Sequence, residues 1–215
     1  MKSVAIILAR AGSKGIPRKN MSILNDRFII EYTIDACLNS NIDEVYVSTD
    51  GNDIAAFSIS QGATTIKRPA EFATDEATSE SALLHAVSQV ESDIVVFVQP
   101  TSPMLLSKDI NKCLNAVTNE GYDSAFTGYK QHWAGAWYQK VDAAMPLYST
   151  RPRRQEVEPL MIENGACYVT RTSCLLGSKN RLSGKTKFIE MPAHRSFQVD
   201  TPEDLILIEN IMRAQ

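Results

Sequence analysis

SVAIILARAGSKGIPRKN, Ser3 to Asn20, sets an uninterrupted apolar run against a polar loop holding two glycines and four cationic side chains. Ser3–Ala9 carries no charge and is rich in aliphatic residues, the pattern of a strand covered on both faces in a parallel sheet. Phe28–Leu38, with apolar residues recurring at Phe28, Ile29, Tyr32 and Ala36, then reads as a helix. Strand, loop and helix in that order predict the first unit of an α/β sheet.

The alternation continues outward from that unit. Strands are expected at Glu44–Ser48, Thr64–Lys67 and Ile94–Val98, and helices at Asp53–Gln61, Ser79–Val90 and Lys108–Asn119. Repeated units of this kind predict an α/β fold, a Rossmann-like and mostly parallel sheet with helices on both faces. From Tyr122 the rhythm changes. Ser124–Tyr129 and Ala136–Lys140 read as paired strands, and a segment rich in proline and arginine follows, from Pro146 to Pro159. Strands at Ala166–Thr170 and Lys187–Glu190 precede a last helix, Pro202–Arg213. Thr201 supplies that helix with a cap, Pro202 its first position and Asp204 an early carboxylate. The chain thus reads as one domain, 1–215, with an inserted arm at 126–159.

A length of 215 residues, 44% hydrophobic and 22% charged, suits one folded domain and argues against disorder. The net charge of −3 offers no general attraction for nucleic acid or an anionic membrane, so neither is expected as a partner. The first apolar run is too short for a secretory signal, and Ile94–Val98 is far below the roughly 20 residues of a bilayer span. Cys37, Cys113, Cys167 and Cys174 form no CxxC pair and read as reduced thiols. A cytoplasmic location is expected.

In open α/β sheets ligands bind beyond the carboxyl ends of the strands, so the residues just after each strand are the candidates. After the first strand, Gly12 and Gly15 free the backbone N–H groups, Ser13 adds a hydroxyl, and Arg10, Lys14, Arg18 and Lys19 add charge. These are the parts of a triphosphate cradle, set against a plain loop of solvated lysines. The spacing is neither that of a Walker A loop nor GxGxxG, which tells against a Rossmann dehydrogenase. Gln99-Pro100-Thr101-Ser102-Pro103 is a rigid polar turn, suited to a polyhydroxy ligand or simply a proline turn. Asp200 either holds Mg²⁺ against phosphate oxygens or favours the N-terminus of the last helix. Arg151, Arg153 and Arg154 bind a carboxylate or form an exposed basic strip. His132 with Trp133 stacks on a ligand or packs at a subunit contact, while His85 reads as a structural histidine.

LARAGSKGIPRKN, VSTD, RPAEFATDEATS, QPTSPM, RRQ with ENGACYV, and VDTPEDL occur in that order across nearly the whole chain. Together they resemble the acylneuraminate cytidylyltransferase family, whose members include CMP-sialic acid synthetases, their legionaminate and pseudaminate counterparts and, more distantly, CMP-KDO synthetases. The resemblance implies a fold of nucleotide-diphospho-sugar transferase type and transfer of the cytidylyl group of CTP to an acidic nonulosonic sugar, N-acetylneuraminate first. It implies that Arg10, Ser13, Lys14, Lys19 and Asn20 hold the CTP phosphates, with Arg10, Lys19 and Asp200 carrying the chemistry. It implies that Arg68, Ala77 and Ser79 surround the cytosine, that Gln99, Arg154, Asn164 and Tyr168 face the sugar, and that Asp200 binds Mg²⁺ or another divalent cation. Members commonly show Asp-x-Asp where this chain has Gln198-Val199-Asp200, so Gln198 is a weaker ligand here. A protein that binds nucleotide but has lost catalysis through Gln198 is the alternative. Glycine and alanine within Gln131–Trp137 stand near where some sialate enzymes place a lysine. The resemblance further implies a homodimer in which the arm reaches across to the partner.

Overall fold

In the computed structural model, which describes residues 1–132 and 137–214, the elements follow the expected alternation. They are β1 (Ser3–Leu8), β2 (Ile23–Leu24), β3 (Arg27–Phe28), α1 (Ile29–Leu38), β4 (Glu44–Thr49), α2 (Asn52–Ser60), β5 (Thr64–Lys67), α3 (Ser79–Val87), β6 (Ile94–Val98) and α4 (Ser107–Thr118). The second half adds β7 (Ser124–Gln131), β8 (Trp137–Lys140), β9 (Ala143–Pro146), β10 (Leu160–Arg171), α5 (Thr172–Ser178), β11 (Thr186–Glu190) and α6 (Pro202–Arg213).

Seven strands form one sheet in the order β11-β7-β10-β6-β1-β4-β5. β1 pairs in parallel with β4 and β6, β4 with β5, and β7 with β11, while β10 runs antiparallel to both its neighbours. Alternation along β1 divides the core. Ala5 and Ile7 face α1 and α4 through Ile30, Ile34, Ile110 and Val117, whereas Val4 and Ile6 face α3 and α5 through Leu83, Ala86 and Leu175. These side chains are essentially inaccessible, each burial stabilising by about 1.5–3 kcal/mol for the larger ones. The expectation of helices on both faces is met.

Three expectations need correction. Strand 124–129 does not pair with 137–140, the part of the expected Ala136–Lys140 strand within the described residues: β7 lies inside the sheet between β10 and β11, and β8 pairs with β9 in a separate hairpin. The physical reason is burial. Ala125 and Thr127 of β7 are inaccessible, while all four residues of β8 are exposed. The segment leaving the sheet therefore starts after Gln131, not at Phe126. β10 begins at Leu160 rather than Ala166, because a bulge between Glu163 and Tyr168 interrupts the alternation without ending the strand. The short α5, with Leu175 as its one buried residue, carries too little periodicity to be read.

β1 continues to β4 on one side and β6 returns on the other, so the chain reverses direction across the sheet between β1 and β6. A crevice opens at such a switch point, outside the carboxyl ends of the strands.

Candidate active site

Leu8 and Arg10 leave β1 at this crevice, and the loop that follows is pinned at three places. Ala11 donates its N–H to Asp50 Oδ1 at 2.8 Å, Asn20 Nδ2 donates to the Arg10 carbonyl at 2.8 Å, and Gly15 meets the backbone of Asp200. A Cβ on Gly15 would lie 2.4 Å from the Asp200 carbonyl oxygen, so only glycine permits this approach. Arg10, Ser13, Lys14, Gly15, Lys19 and Asn20, with Ser79, Phe97, Gln99, Thr101 and Asp200, line a cavity of about 380 Å³. The loop thus forms a cationic cradle along one side of this cavity, with Arg10, Lys14 and Lys19 in its lining. Arg18 does not join it: its guanidinium pairs with Asp53 of α2.

The cations are already partnered. Arg10 binds the Asp75 carboxylate at 2.9 Å and the Thr74 carbonyl at 2.8 Å, and Lys14 reaches the other Asp75 oxygen at 3.1 Å. The Lys14 hydrogen bond, with that of Arg10, holds the Asp75 carboxyl below its ordinary range. Lys19 Nζ lies 2.9 Å from Asp200 Oδ1.

A second compartment of about 220 Å³ adjoins the first through Leu8, Arg10 and Ser79, and is completed by Arg68, Phe72, Thr74, Asp75, Ala77 and Thr78. Arg68 is its buried floor. The guanidinium donates to Ser48 Oγ at 3.1 Å and to the Ser48 carbonyl at 2.6 Å, and burial pushes its pKa down to about 10, still cationic at neutral pH. Thr78 caps α3 by accepting from Ser81 N, and Thr78 and Ser79 at the start of that helix line this space.

A third compartment of about 400 Å³ meets the first at Gln99 and is lined by Tyr129, Glu163, Asn164, Gly165, Tyr168, Ser196 and Gln198. It lies over the β10 bulge. Tyr168 stacks on Phe97, donates its hydroxyl to Glu163 Oε2 at 2.9 Å and carries the Arg181 guanidinium over its ring. Burial, then the Glu163 hydrogen bond, raises the Tyr168 phenol and keeps it neutral. Asn164 has its capacity occupied: Oδ1 accepts from Thr127 Oγ1 and Ala166 N, and Nδ2 donates to Ser196 Oγ and Met191 Sδ. It therefore shapes the bulge.

Gln198 and Asp200 stand two residues apart on a segment tied to the Gln99–Ser102 turn by Val199 N donating to the Thr101 carbonyl. Gln198 packs its amide on Gly165 and donates to Ser102 Oγ at 3.4 Å, whereas Asp200 reaches the cradle. No group of three or more His, Cys, Asp or Glu side chains gathers to hold a metal among the described residues. One exposed carboxylate is nevertheless the donor set that Mg²⁺ uses when substrate phosphates supply the remaining ligands.

Of the residues selected from sequence, Arg10, Ser13, Lys14, Lys19, Asn20, Ser79, Gln99 and Asp200 meet in the first compartment, Arg68 and Ala77 in the second, and Asn164, Tyr168 and Gln198 in the third. Arg154 joins none of the three. It lies exposed in the arm, as do Arg151 and Arg153. His132 is exposed and Trp133 lies outside the described residues. His85 packs against Phe72. Sequence reasoning passed over Asp75, Glu163 and Phe97. The first two stand inside motifs it had quoted, and Phe97 looks like any core residue of a strand.

A family model described as Cytidylyltransferase matches residues 4–145. N-acylneuraminate cytidylyltransferase A of Danio rerio is 33% identical over 208 residues, 93% of this chain and 48% of that protein. N-acylneuraminate cytidylyltransferase of Streptococcus agalactiae is 31% identical over 216 residues, 96% and 52% of the two chains. The chain thus spans about half the length of the curated relatives it matches. Among solved structures, CMP:2-keto-3-deoxy-manno-octonic acid synthetase complexed with CTP superposes with a TM-score of 0.76 at 19% identity, covering 100% of this chain and 99% of that one. 4-Diphosphocytidyl-2C-methyl-D-erythritol synthase of Anaerococcus prevotii gives 0.73 at 15% identity, covering 99% and 98%. Both share the fold.

Proposed function

This chain belongs to the cytidylyltransferase family, and we propose on that footing that it transfers the cytidylyl group of CTP to the anomeric hydroxyl of a nonulosonic acid, N-acetylneuraminate in the first instance, with release of pyrophosphate. The observation that carries this reading is the adjacency of three compartments at the switch point, a cationic one that shares lining residues with a smaller polar one on one side and a wider polar one on the other. Arg10, Lys14 and Lys19 receive the triphosphate in the middle. Arg68, Ala77 and Ser79 border the space for cytosine, and Gln99, Tyr168 and the bulge at Asn164 border the acceptor.

In the reaction the anomeric oxygen bonds to the α-phosphorus as the bond from that phosphorus to the bridging oxygen breaks. Pyrophosphate leaves with the electron pair, and the hydroxyl proton passes to solvent. Charge develops on the phosphoryl oxygens, so fixed cations act more strongly on the transition state than on the bound substrate. Lys19 is the most enclosed cation of the cradle and is held against Asp200, and we assign it to the α-phosphate. Arg10 and Lys14 neutralise the leaving group. Asp200 would hold Mg²⁺, which when bound supplies additional charge neutralisation at the phosphates. Asp200→Ala is expected to abolish turnover or its dependence on Mg²⁺; retained Mg²⁺ dependence would leave Asp200 as a helix-terminal residue only.

The β8–β9 arm exposes Trp137, Tyr138, Val141, Met145 and Leu147. Such a surface supports association with a second copy, which would bring Arg154 to a neighbouring acceptor space. Among the described residues no helix is long and apolar enough to cross a membrane, and a cytoplasmic site of action belongs to the same proposal. The deciding test measures pyrophosphate release with CTP and Mg²⁺ against N-acetylneuraminate, legionaminate, pseudaminate and KDO, with ATP, GTP and UTP as controls. Release confined to CTP and one acid is expected. Silence with every acid despite CTP binding would overturn the reading.

A further inference from the structure

Glu163 contributes the only charged side chain among the described residues that line the third compartment. Its position is built. The bulge sets Glu163 opposite Gly128 and resumes pairing only at Tyr168 opposite Phe126, which leaves the intervening residues of β10 to form the compartment floor. Tyr168 then fixes the carboxylate by donating to Oε2 at 2.9 Å. The Tyr168 ring is itself held, stacked 5.8 Å from Phe97 with the Arg181 guanidinium 5.0 Å from its centroid, and Arg181 is anchored by Glu80 at 2.6 Å.

A negative charge here is unexpected for an acidic acceptor. Resting on the reaction proposed above, the chemistry of a nonulosonic acid removes the conflict. Its carboxylate and its reacting hydroxyl sit on the same anomeric carbon, so the end that reaches the α-phosphate is also the anionic end. That end is drawn to the cations of the first compartment and repelled by Glu163. The opposite end carries a tail of hydroxyl groups, which are donors without charge. A fixed carboxylate is a strong acceptor for them. We propose that Glu163 is a specificity-determining residue that receives hydrogen bonds from the polyhydroxy tail of the acceptor and so sets the direction in which the sugar lies.

The test crosses a change in the enzyme with a change in the substrate. Glu163→Gln keeps the size of the side chain and a partner for Tyr168, and Glu163→Ala removes the acceptor; the exposed position makes neither a threat to folding, and thermal melting checks this. Each is assayed with CTP and two acceptors, N-acetylneuraminate and the same acid shortened at its tail by periodate cleavage and reduction while its anomeric centre is protected as a glycoside, which is then removed. Loss of a hydrogen bond to a charged group predicts that Glu163→Ala raises the KM of the intact acid by about tenfold or more, with Glu163→Gln in between. The KM of the shortened acid changes by less than about twofold on the same argument, because its partner is already missing. An equal rise for both acids would mean that Glu163 does not read the tail, and unchanged KM for both would mean that it touches no acceptor; either overturns the assignment. Activity of the unaltered protein on the intact acid separates those outcomes from failure of the proposed reaction, whose absence would remove this assignment as well.

Discussion

Lys19 is the most enclosed of the four cations in the first loop, its side chain 17% exposed against 77% for Lys14. A charge so placed is fixed by its surroundings before substrate arrives, whereas Lys14 is held only by a solvent-exposed pair with Asp75. Lys19→Ala is therefore expected to reduce turnover by about a hundredfold or more, as for loss of one fixed donor at a developing oxyanion. The melting temperature should stay close to that of the unaltered protein, since the partner Asp200 is exposed and can be solvated. Near-normal turnover would refute the phosphate-site assignment. Gly15 makes a complementary case, acting through shape and not charge. A methyl group there collides with backbone, which cannot swing aside as a side chain tip does. Gly15→Ala should cost about 1–3 kcal/mol in stability and raise the KM for CTP, because the cradle is pushed away from Asp200. Equilibrium unfolding and initial rates measure the two effects separately.

Elements are joined beneath the site by a buried pair. Asp109 in the first turn of α4 binds Arg195, which lies in the turn after β11, through Nη1 at 2.6 Å and Nη2 at 3.2 Å, with the side chains 1% and 8% exposed. Arg195 also donates to the Met104 carbonyl at 3.1 Å. This bridge fixes the polar turn after β6 relative to the Gln198–Asp200 segment, and so relates one wall of the cradle to another. Removal of one partner strands the other charge in a dry setting. Asp109→Asn is expected to destabilise by about 3–5 kcal/mol in urea unfolding, and a loss below about 1 kcal/mol would show that water reaches the pair. The β10 bulge works at the same scale. Gly165, with φ +68°, turns the strand beneath Gln198, and an added Cβ would overlap that amide. The bulge thereby gives the third compartment its floor and its carboxylate.

At the scale of the whole molecule, the exposed apolar face of the arm is the feature that a single chain does not account for. A homodimer is expected by light scattering coupled to size exclusion, and Trp137→Glu is expected to shift it toward monomer. If the arm completes a neighbour's acceptor space, the same change raises the KM of the acceptor more than that of CTP; a monomeric native protein with full activity would exclude this arrangement. The alternation of the first half and the last helix were legible because they are local patterns: Thr64–Lys67, Ile94–Val98 and Pro202–Arg213 stand where periodicity and capping put them. The cationic loop was legible for the same reason, its residues being neighbours in the chain. What the tertiary structure decided is non-local. Lys19 meets a carboxylate 181 residues away, β7 takes β10 and β11 as partners instead of β8, and Glu163 becomes a wall of the third compartment. Local sequence fixes which face of an element is apolar, but the choice among partners depends on the shared burial of several elements at once, and only their packing determines which charges then face one another.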